Sequence, residues 1–438
     1  MKILIKDAQI IPMTKEFGVE SNQENYYING NIAIYHGKIS GIGNIPEDGD
    51  FDKIIDASGC VVLPGFINAH THAAMALFRS YADDLPLMEW LNTKIWPIEA
   101  IMTGQDIYWG TMLSILEMIK SGTTTFVDMY SFMDDVARAV DESGIRAVLS
   151  RGVIGIAPNG ESALLESVGF IKNWQGKAEG RITTMLAPHA PYTCPPDYLK
   201  KVMHYSDQLG VGIHIHLAET LSEVADIKKA YGKRPVELMD EIGLFNHHVL
   251  GAHVVHVNEK EIEVLAEKKV GVVHNPQSNM KLASGIAPVT KMLQKGIPVA
   301  LGTDGASSNN NLDMIEEMRS ASFLQKVADM DPTSIPAYQA LEMATRNGAL
   351  ALKMESQIGQ ISVGKKADLI IVDFHKPHLY PRHDASAHLV YAAQASDVKT
   401  VIINGKVIME NRQVLSIDEE RILYEAEKCA QKLVDRVK

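Results

Sequence analysis

Val61-Val62-Leu63-Pro64-Gly65-Phe66-Ile67-Asn68-Ala69-His70-Thr71-His72 is an apolar run that ends in two histidines one residue apart. On an extended strand, residues i and i+2 project from the same side, so His70 and His72 aim two imidazoles at one point. A lone His-X-His pair describes hydrogen-bonded core or surface histidines equally well. The rest of the chain decides, because three further apolar runs also end in candidate ligands. They are Val211-Gly212-Ile213-His214-Ile215-His216, Val249-Leu250-Gly251-Ala252-His253 and Ile297-Pro298-Val299-Ala300-Leu301-Gly302-Thr303-Asp304.

Between these runs the sequence is helical in period, with charged and apolar positions mixed over 223–242, 259–269 and 312–328. Strands alternating with helices build βα units around a parallel sheet. Eight barrel strands are expected, at 61–68, 123–128, 147–151, 183–188, 211–217, 249–253, 270–274 and 299–303. The expected class is therefore α/β, a metal-dependent (β/α)8 TIM-type barrel. Such a barrel gathers its functional groups at the carboxyl ends of its strands, where His70, His72, His216, His253 and Asp304 all fall.

The flanks read differently. Residues 1–59 carry short alternating segments, Ile3-Leu4-Ile5, Asn31-Ile32-Ala33-Ile34-Tyr35 and Lys53-Ile54-Ile55, punctuated by Asn29-Gly30, His36-Gly37 and Asp48-Gly49. These predict β hairpins. Matching segments return at Asp368-Leu369-Ile370-Ile371-Val372-Asp373 and across 399–408. One small β-sandwich domain built from 1–59 and 358–438, bracketing a catalytic barrel at 60–357, is the expectation; two unrelated extensions are the alternative. A terminal helix is expected from Ile417, with Ser416-Ile417-Asp418-Glu419 as a capping box and Leu423, Ala426, Ala430 and Leu433 as its packing face.

At 438 residues and 46% hydrophobic, the chain is ample for a barrel with an accessory domain. A formal charge of −12 and no basic run argue against nucleic acid or membrane as partner. Cys60, Cys194 and Cys429 are odd in number and far apart, which fits a reducing compartment rather than a disulfide framework. Met1-Lys2-Ile3-Leu4-Ile5-Lys6-Asp7 is too short and charged for a signal peptide, and no apolar run reaches the ~18 residues of a membrane span. A cytoplasmic location is expected.

The chain resembles the amidohydrolase superfamily, and within it the 5′-methylthioadenosine/S-adenosylhomocysteine deaminases. The run 64–72 and the closing Gly359-Gln360-Ile361-Ser362-Val363-Gly364-Lys365-Lys366-Ala367-Asp368-Leu369 mark the superfamily. Ala187-Pro188-His189-Ala190-Pro191-Tyr192-Thr193-Cys194 and His216-Leu217-Ala218-Glu219-Thr220 narrow it toward adenine nucleosides. The segments 274–285 and Gly302-Thr303-Asp304-Gly305 match as well. The resemblance implies hydrolytic deamination at C6 of the adenine ring by a metal-activated water, with a small-molecule nucleoside as substrate and a homo-oligomer as assembly.

By the same resemblance the metal ligands are His70, His72, His216 and Asp304. Three imidazoles and one carboxylate suit Zn²⁺, although iron, manganese or nickel accept such a set. Two-metal members of the superfamily bridge their ions with a lysine ending the fourth strand; residues 182–189 contain none, so one divalent ion per subunit is expected. Asp304, able to touch metal and water, is the expected base. Glu219 is the expected general acid to ring N1, needing a raised pKa; the alternative is a loop carboxylate favoured at a helix start. His253 is expected beside the attacking water, or as a structural histidine. His214 and His274 read as barrel filling or as support for the ligands.

Glu99 matches the residue that binds the ribose hydroxyls. Arg151 and His189, closing strands three and four, match contacts to the ribose and 5′ substituent; for Arg151 an ion pair with a barrel-end carboxylate is the alternative. Trp90, Trp96, Met75 and Met88 either wall an apolar subsite or pack the loop. Rival readings are a deaminase or hydrolase of guanine or an s-triazine, and a non-catalytic barrel scaffold, which would be expected to have lost ligands.

Overall fold

The computed structural model describes residues 1–14, 16 and 26–437. All eight expected barrel strands are present. Phe66–Thr71 pairs in parallel with Thr123–Tyr130, which pairs with Arg146–Val153. The fourth strand comes in two pieces, Ile182–Thr184 and Ala187–Pro188, both pairing with the third. The Leu186 N–H to Gly212 O bond (2.9 Å) and the His214 N–H to Leu186 O bond (2.8 Å) join it to Ile213–Leu217. Val249–His253, Gly271–His274 and Val299–Leu301 follow in parallel. The ring closes where the Asp304 N–H donates to His70 O at 3.0 Å and the Asn68 side chain exchanges two bonds with Thr303. The strands are buried along nearly their whole length, which explains why they read as apolar runs rather than alternating ones.

Strands from both ends of the chain form one nine-stranded sheet. Lys2–Ile10, Ile28–Tyr35, Lys38–Gly43, Lys53–Asp56 and Cys60–Pro64 come from the front. Leu369–Asp373, Val398–Ile403, Lys406–Glu410 and Gln413–Val414 come from the back. The seam is antiparallel, with Leu369 opposite Pro64 and Ile371 opposite Val62. Of the three expected turns, His36-Gly37 does close a hairpin. Asn29-Gly30 instead lies inside a strand, and the strand after Asp48-Gly49 pairs in parallel with Lys2–Ile10 rather than with its neighbour.

The expected first barrel strand over 61–68 is in fact two. Cys60–Pro64 belongs to the terminal sheet and the barrel begins at Phe66. Gly65 makes the crossing possible, since a Cβ there would stand 2.1 Å from Thr124 Cγ2. The expected helix over 223–242 is also two, Leu221–Tyr231 and Pro235–Glu241. Gly232 ends the first in a left-handed conformation and Pro235 opens the second.

Sheet and barrel are joined by a buried ion pair. Arg146, at the start of the third barrel strand, bonds Asp368 through Nε (2.7 Å) and Nη2 (3.1 Å). Their side chains are 1% and 3% exposed. The terminal helix is Glu419–Val437. Its cap is Asp418, whose Oδ1 accepts from the Arg421 N–H at 3.0 Å. The expected Ser416 box does not form, because the helix starts too late for it and Glu419 pairs with Lys120 instead. Its buried face is Ile422, Ala426, Cys429 and Leu433, with Leu423 turned out.

Candidate metal and active site

The strand ends bring the expected ligands together. His70 Nε2 and His72 Nε2 stand 3.4 Å and 3.3 Å from Asp304 Oδ1, and His216 Nε2 lies 3.3 Å from His72 Nε2. His253 enters the same cluster, its ligand nitrogen within 4.8 Å of those of His70 and His216. The outward nitrogens are already spoken for. His72 Nδ1 bonds Met129 O and His216 Nδ1 bonds His189 O, both at 2.7 Å, while His70 Nδ1 meets His214 Nε2 at 2.9 Å. Nδ1–H donation to a carbonyl leaves the Nε2 lone pair facing inward, the tautomer a metal requires. Among the described residues, His70 Nε2 is buried with no hydrogen-bond partner.

Electrostatics agree. Burial pulls the His70 pKa down to about 4 and His216 well below its ordinary value, so both imidazoles are neutral. Burial opposes an ionised Asp304, but the His70 and His72 rings outweigh it and hold its carboxyl well below the usual range. Its other oxygen accepts from Ser278 Oγ (2.7 Å) and Ser308 Oγ (2.9 Å). Neutral imidazoles around a fixed carboxylate fit a divalent ion such as Zn²⁺.

Glu219 lies beside this cluster. Its Oε2 is 3.9 Å from His253 Nε2 and its Oε1 accepts from Ser284 Oγ at 3.3 Å. Burial pushes its carboxyl pKa up, with His253 opposing and Asp304 adding to the rise. His253 Nδ1 is fixed by Asn279 Oδ1 at 2.9 Å. Burial lowers the His253 pKa, yet Glu219 and Asp304 overcome it and the net shift is upward. Ala218, His253 and Asp304 all take positive φ, at 52°, 71° and 63°. Left-handed backbone in residues other than glycine is held only where surroundings enforce it.

A cavity of 520 Å³ opens over the cluster. Glu99, Arg151, His189, Glu219, His253 and Asp304 all line it, as do Trp90, Trp96 and Met75, whereas Met88 is exposed outside. Glu99 ends the short helix Trp96–Glu99 and accepts a hydrogen bond from Tyr130 OH. Arg151 bonds Glu166 Oε2 through Nε (3.4 Å) and Nη2 (3.3 Å) and also reaches Gly152 O, so its rim position and its ion pair coexist. His189 Nδ1 is 3.0 Å from Thr193 Oγ1, and burial takes its pKa down to about 4. Sequence reasoning missed Tyr130, Tyr192, Ser278, Ser284 and Ser308. Tyr130 carried a signal as the last residue of a barrel strand, and Tyr192, Ser278 and Ser284 lie inside the segments 187–194 and 274–285 that carry the resemblance, whereas Ser308 carried none.

Residues 61–408 match the profile of the amidohydrolase family. A 5-methylthioadenosine/S-adenosylhomocysteine deaminase from Syntrophomonas wolfei is 58% identical over 438 residues, covering 100% of both chains. The chain belongs to the amidohydrolase family, among the 5-methylthioadenosine/S-adenosylhomocysteine deaminases. A further such deaminase, from Pelotomaculum thermopropionicum, is 57% identical over 437 residues and covers 99% of each chain. The crystal structure of an adenosine deaminase from Xanthomonas campestris with bound zinc matches this amidohydrolase with a TM-score of 0.93 at 34% identity. The match covers 99% of this chain and 98% of that one. Among the described residues, no helix is long and apolar enough to cross a membrane.

Proposed function

We propose that this protein hydrolyses the 6-amino group of 5′-methylthioadenosine and S-adenosylhomocysteine, and of adenosine, releasing ammonia and leaving a 6-oxo purine. The observation that carries the reading is the meeting, in one cavity, of the His70/His72/His216/Asp304 cluster, a carboxyl of raised pKa at Glu219, and Glu99. The identity of 52–58% to relatives named for this activity supports the substrate class.

His70, His72, His216 and Asp304 would hold one ion, most naturally Zn²⁺; a single site is supported by the absence of lysine from residues 182–189. Such an ion, when bound, lowers the pKa of water toward neutrality. Asp304 accepts a proton as the water oxygen bonds to C6, and His253 orients that water through Nε2. Glu219 donates its proton to N1, quenching the charge that the attack places on the ring. As the C6–N6 bond breaks, the proton on Asp304 passes to the departing amine, and the remaining hydroxyl proton returns to Glu219. Water thus supplies both hydrogens of the exchange.

Glu99 accepts the ribose hydroxyls, and Arg151 and His189 face the 5′ side. The three cysteines are buried and free, which supports a reducing, cytoplasmic setting, and we assign a homo-oligomeric assembly by family. The test is an absorbance assay of metal-replete protein against adenosine, methylthioadenosine, S-adenosylhomocysteine, guanine and an s-triazine. Turnover of the thioether nucleosides is expected; turnover confined to guanine or the triazine overturns the reading.

A further inference from the structure

Glu223 occupies an unusual place for a helix-capping glutamate. Thr220-Leu221-Ser222-Glu223 has the capping-box pattern, in which the glutamate reaches back to the N–H of the capping threonine. Half of that box forms: Thr220 Oγ1 accepts from the Glu223 N–H at 3.2 Å. The Glu223 carboxylate reaches further back instead. Its Oε1 accepts from the Ala218 N–H at 2.9 Å and its Oε2 from the Glu219 N–H at 2.8 Å. Both of its oxygens are therefore committed to the two consecutive peptides that flank Ala218, the second of which leads into Glu219.

That turn needs holding. Ala218 sits at φ 52°, a left-handed conformation that a residue with a Cβ disfavours, and it is fully buried. The Glu223 side chain is itself buried, and burial pushes its pKa up to about 7 against the pull of the two amides. A solvated capping carboxylate would satisfy a helix start without that desolvation cost. Among the described residues the Glu219 tip has two long contacts, a 3.3 Å hydrogen bond from Ser284 and His253 at 3.9 Å, so its direction depends largely on its backbone.

We propose that Glu223 is the positioning residue for Glu219, a two-oxygen clamp that holds the strained 218–219 turn so that the acid faces the substrate ring. This rests on the reading of Glu219 as proton donor. Glu223→Gln keeps the shape but replaces one accepting oxygen with an NH₂ group that faces an N–H, so only one arm of the clamp survives.

The experiment is a set of variants assayed with methylthioadenosine, with metal content measured on each. Glu223→Gln should keep its metal and hold KM within about threefold while kcat falls about tenfold or more. Adding Ala218→Gly should restore part of that loss, because glycine takes the left-handed conformation without strain. In a Glu219→Gln background, Glu223→Gln should cost nothing further. Wild-type kcat in Glu223→Gln overturns the proposal. So does a further tenfold loss in the Glu219→Gln background, which is what general destabilisation would produce. Glu219→Gln turning over at the wild-type rate would instead overturn the assignment of the acid, and the clamp with it, and is read from that single variant alone.

Discussion

The Tyr130 hydroxyl donates to Glu99 Oε1, tying the end of the second barrel strand to the short helix that follows the first. Burial pushes the Glu99 carboxyl pKa up and the Tyr130 hydrogen bond pulls it back. This one contact aims Glu99 and favours its ionised form, the form proposed to meet the ribose. Tyr130→Phe should raise KM for nucleosides by about tenfold or more, in line with the ~1.5–3 kcal/mol of a hydrogen bond to a charged group. Losing the hydroxyl also raises the Glu99 pKa. KM should then climb as pH falls, with the variant departing from its plateau at higher pH than the wild type. Superimposable KM profiles for the two would show that Tyr130 does not set the state of Glu99.

Metal dependence follows from the ligand geometry. Elemental analysis should find one ion per chain at full activity, a chelator should abolish turnover, and Zn²⁺ should restore it. His216→Ala should lose both ion and activity. Two ions per chain in fully active protein would contradict the single-site reading.

Glu219→Gln should keep the ion and lose at least the ~10²-fold that a general acid contributes. The comparison that matters is metal content against kcat in the same preparation, since a ligand would lose both.

Substrate choice tests Arg151. A homocysteine tail carries a carboxylate, and a planar guanidinium receives one through two parallel hydrogen bonds. Arg151→Met should therefore lower kcat/KM for S-adenosylhomocysteine more than for methylthioadenosine, by about 1–3 kcal/mol. Equal losses would assign Arg151 to its ion pair with Glu166 or to the ribose.

Stability should hinge on the pair between barrel and sheet. Asp368→Asn removes the charge opposite a buried Arg146, and breaking such a pair costs about 3–5 kcal/mol. A fall in the urea midpoint with little change in KM is expected.

The ligand cluster was legible because its members end apolar strands, and strand ends in a parallel barrel converge whatever the loops do. That rule was enough to bring His70, His72, His216, His253 and Asp304 together, whereas the choice of His70, His72, His216 and Asp304 as expected metal ligands came from the family resemblance. The contacts of Ser278, in the short helix Pro276–Lys281, and of Ser284 and Ser308, outside helices and strands, were not legible, because segments this short carry no period that says which side chain faces Asp304 or Glu219. The break at Gly65 escaped for a related reason. Apolar residues on either side of it look continuous in sequence, and only the close approach to Thr124 reveals that the chain changes sheets there. Glu223 was hidden by a stronger pattern, since a capping box explains the same four residues.

The seam between Pro64 and Leu369 also has a meaning in time. The two residues are about 300 positions apart, which at roughly 5–20 residues per second of synthesis separates them by about 15–60 seconds. Throughout that interval the front strands of the sheet are on the nascent chain with one edge bare, waiting for the back strands to leave the ribosome. An open edge is a template for pairing with other chains. The enzyme's period of greatest exposure to aggregation therefore falls during its own translation, and ends only when its last eighty or so residues emerge.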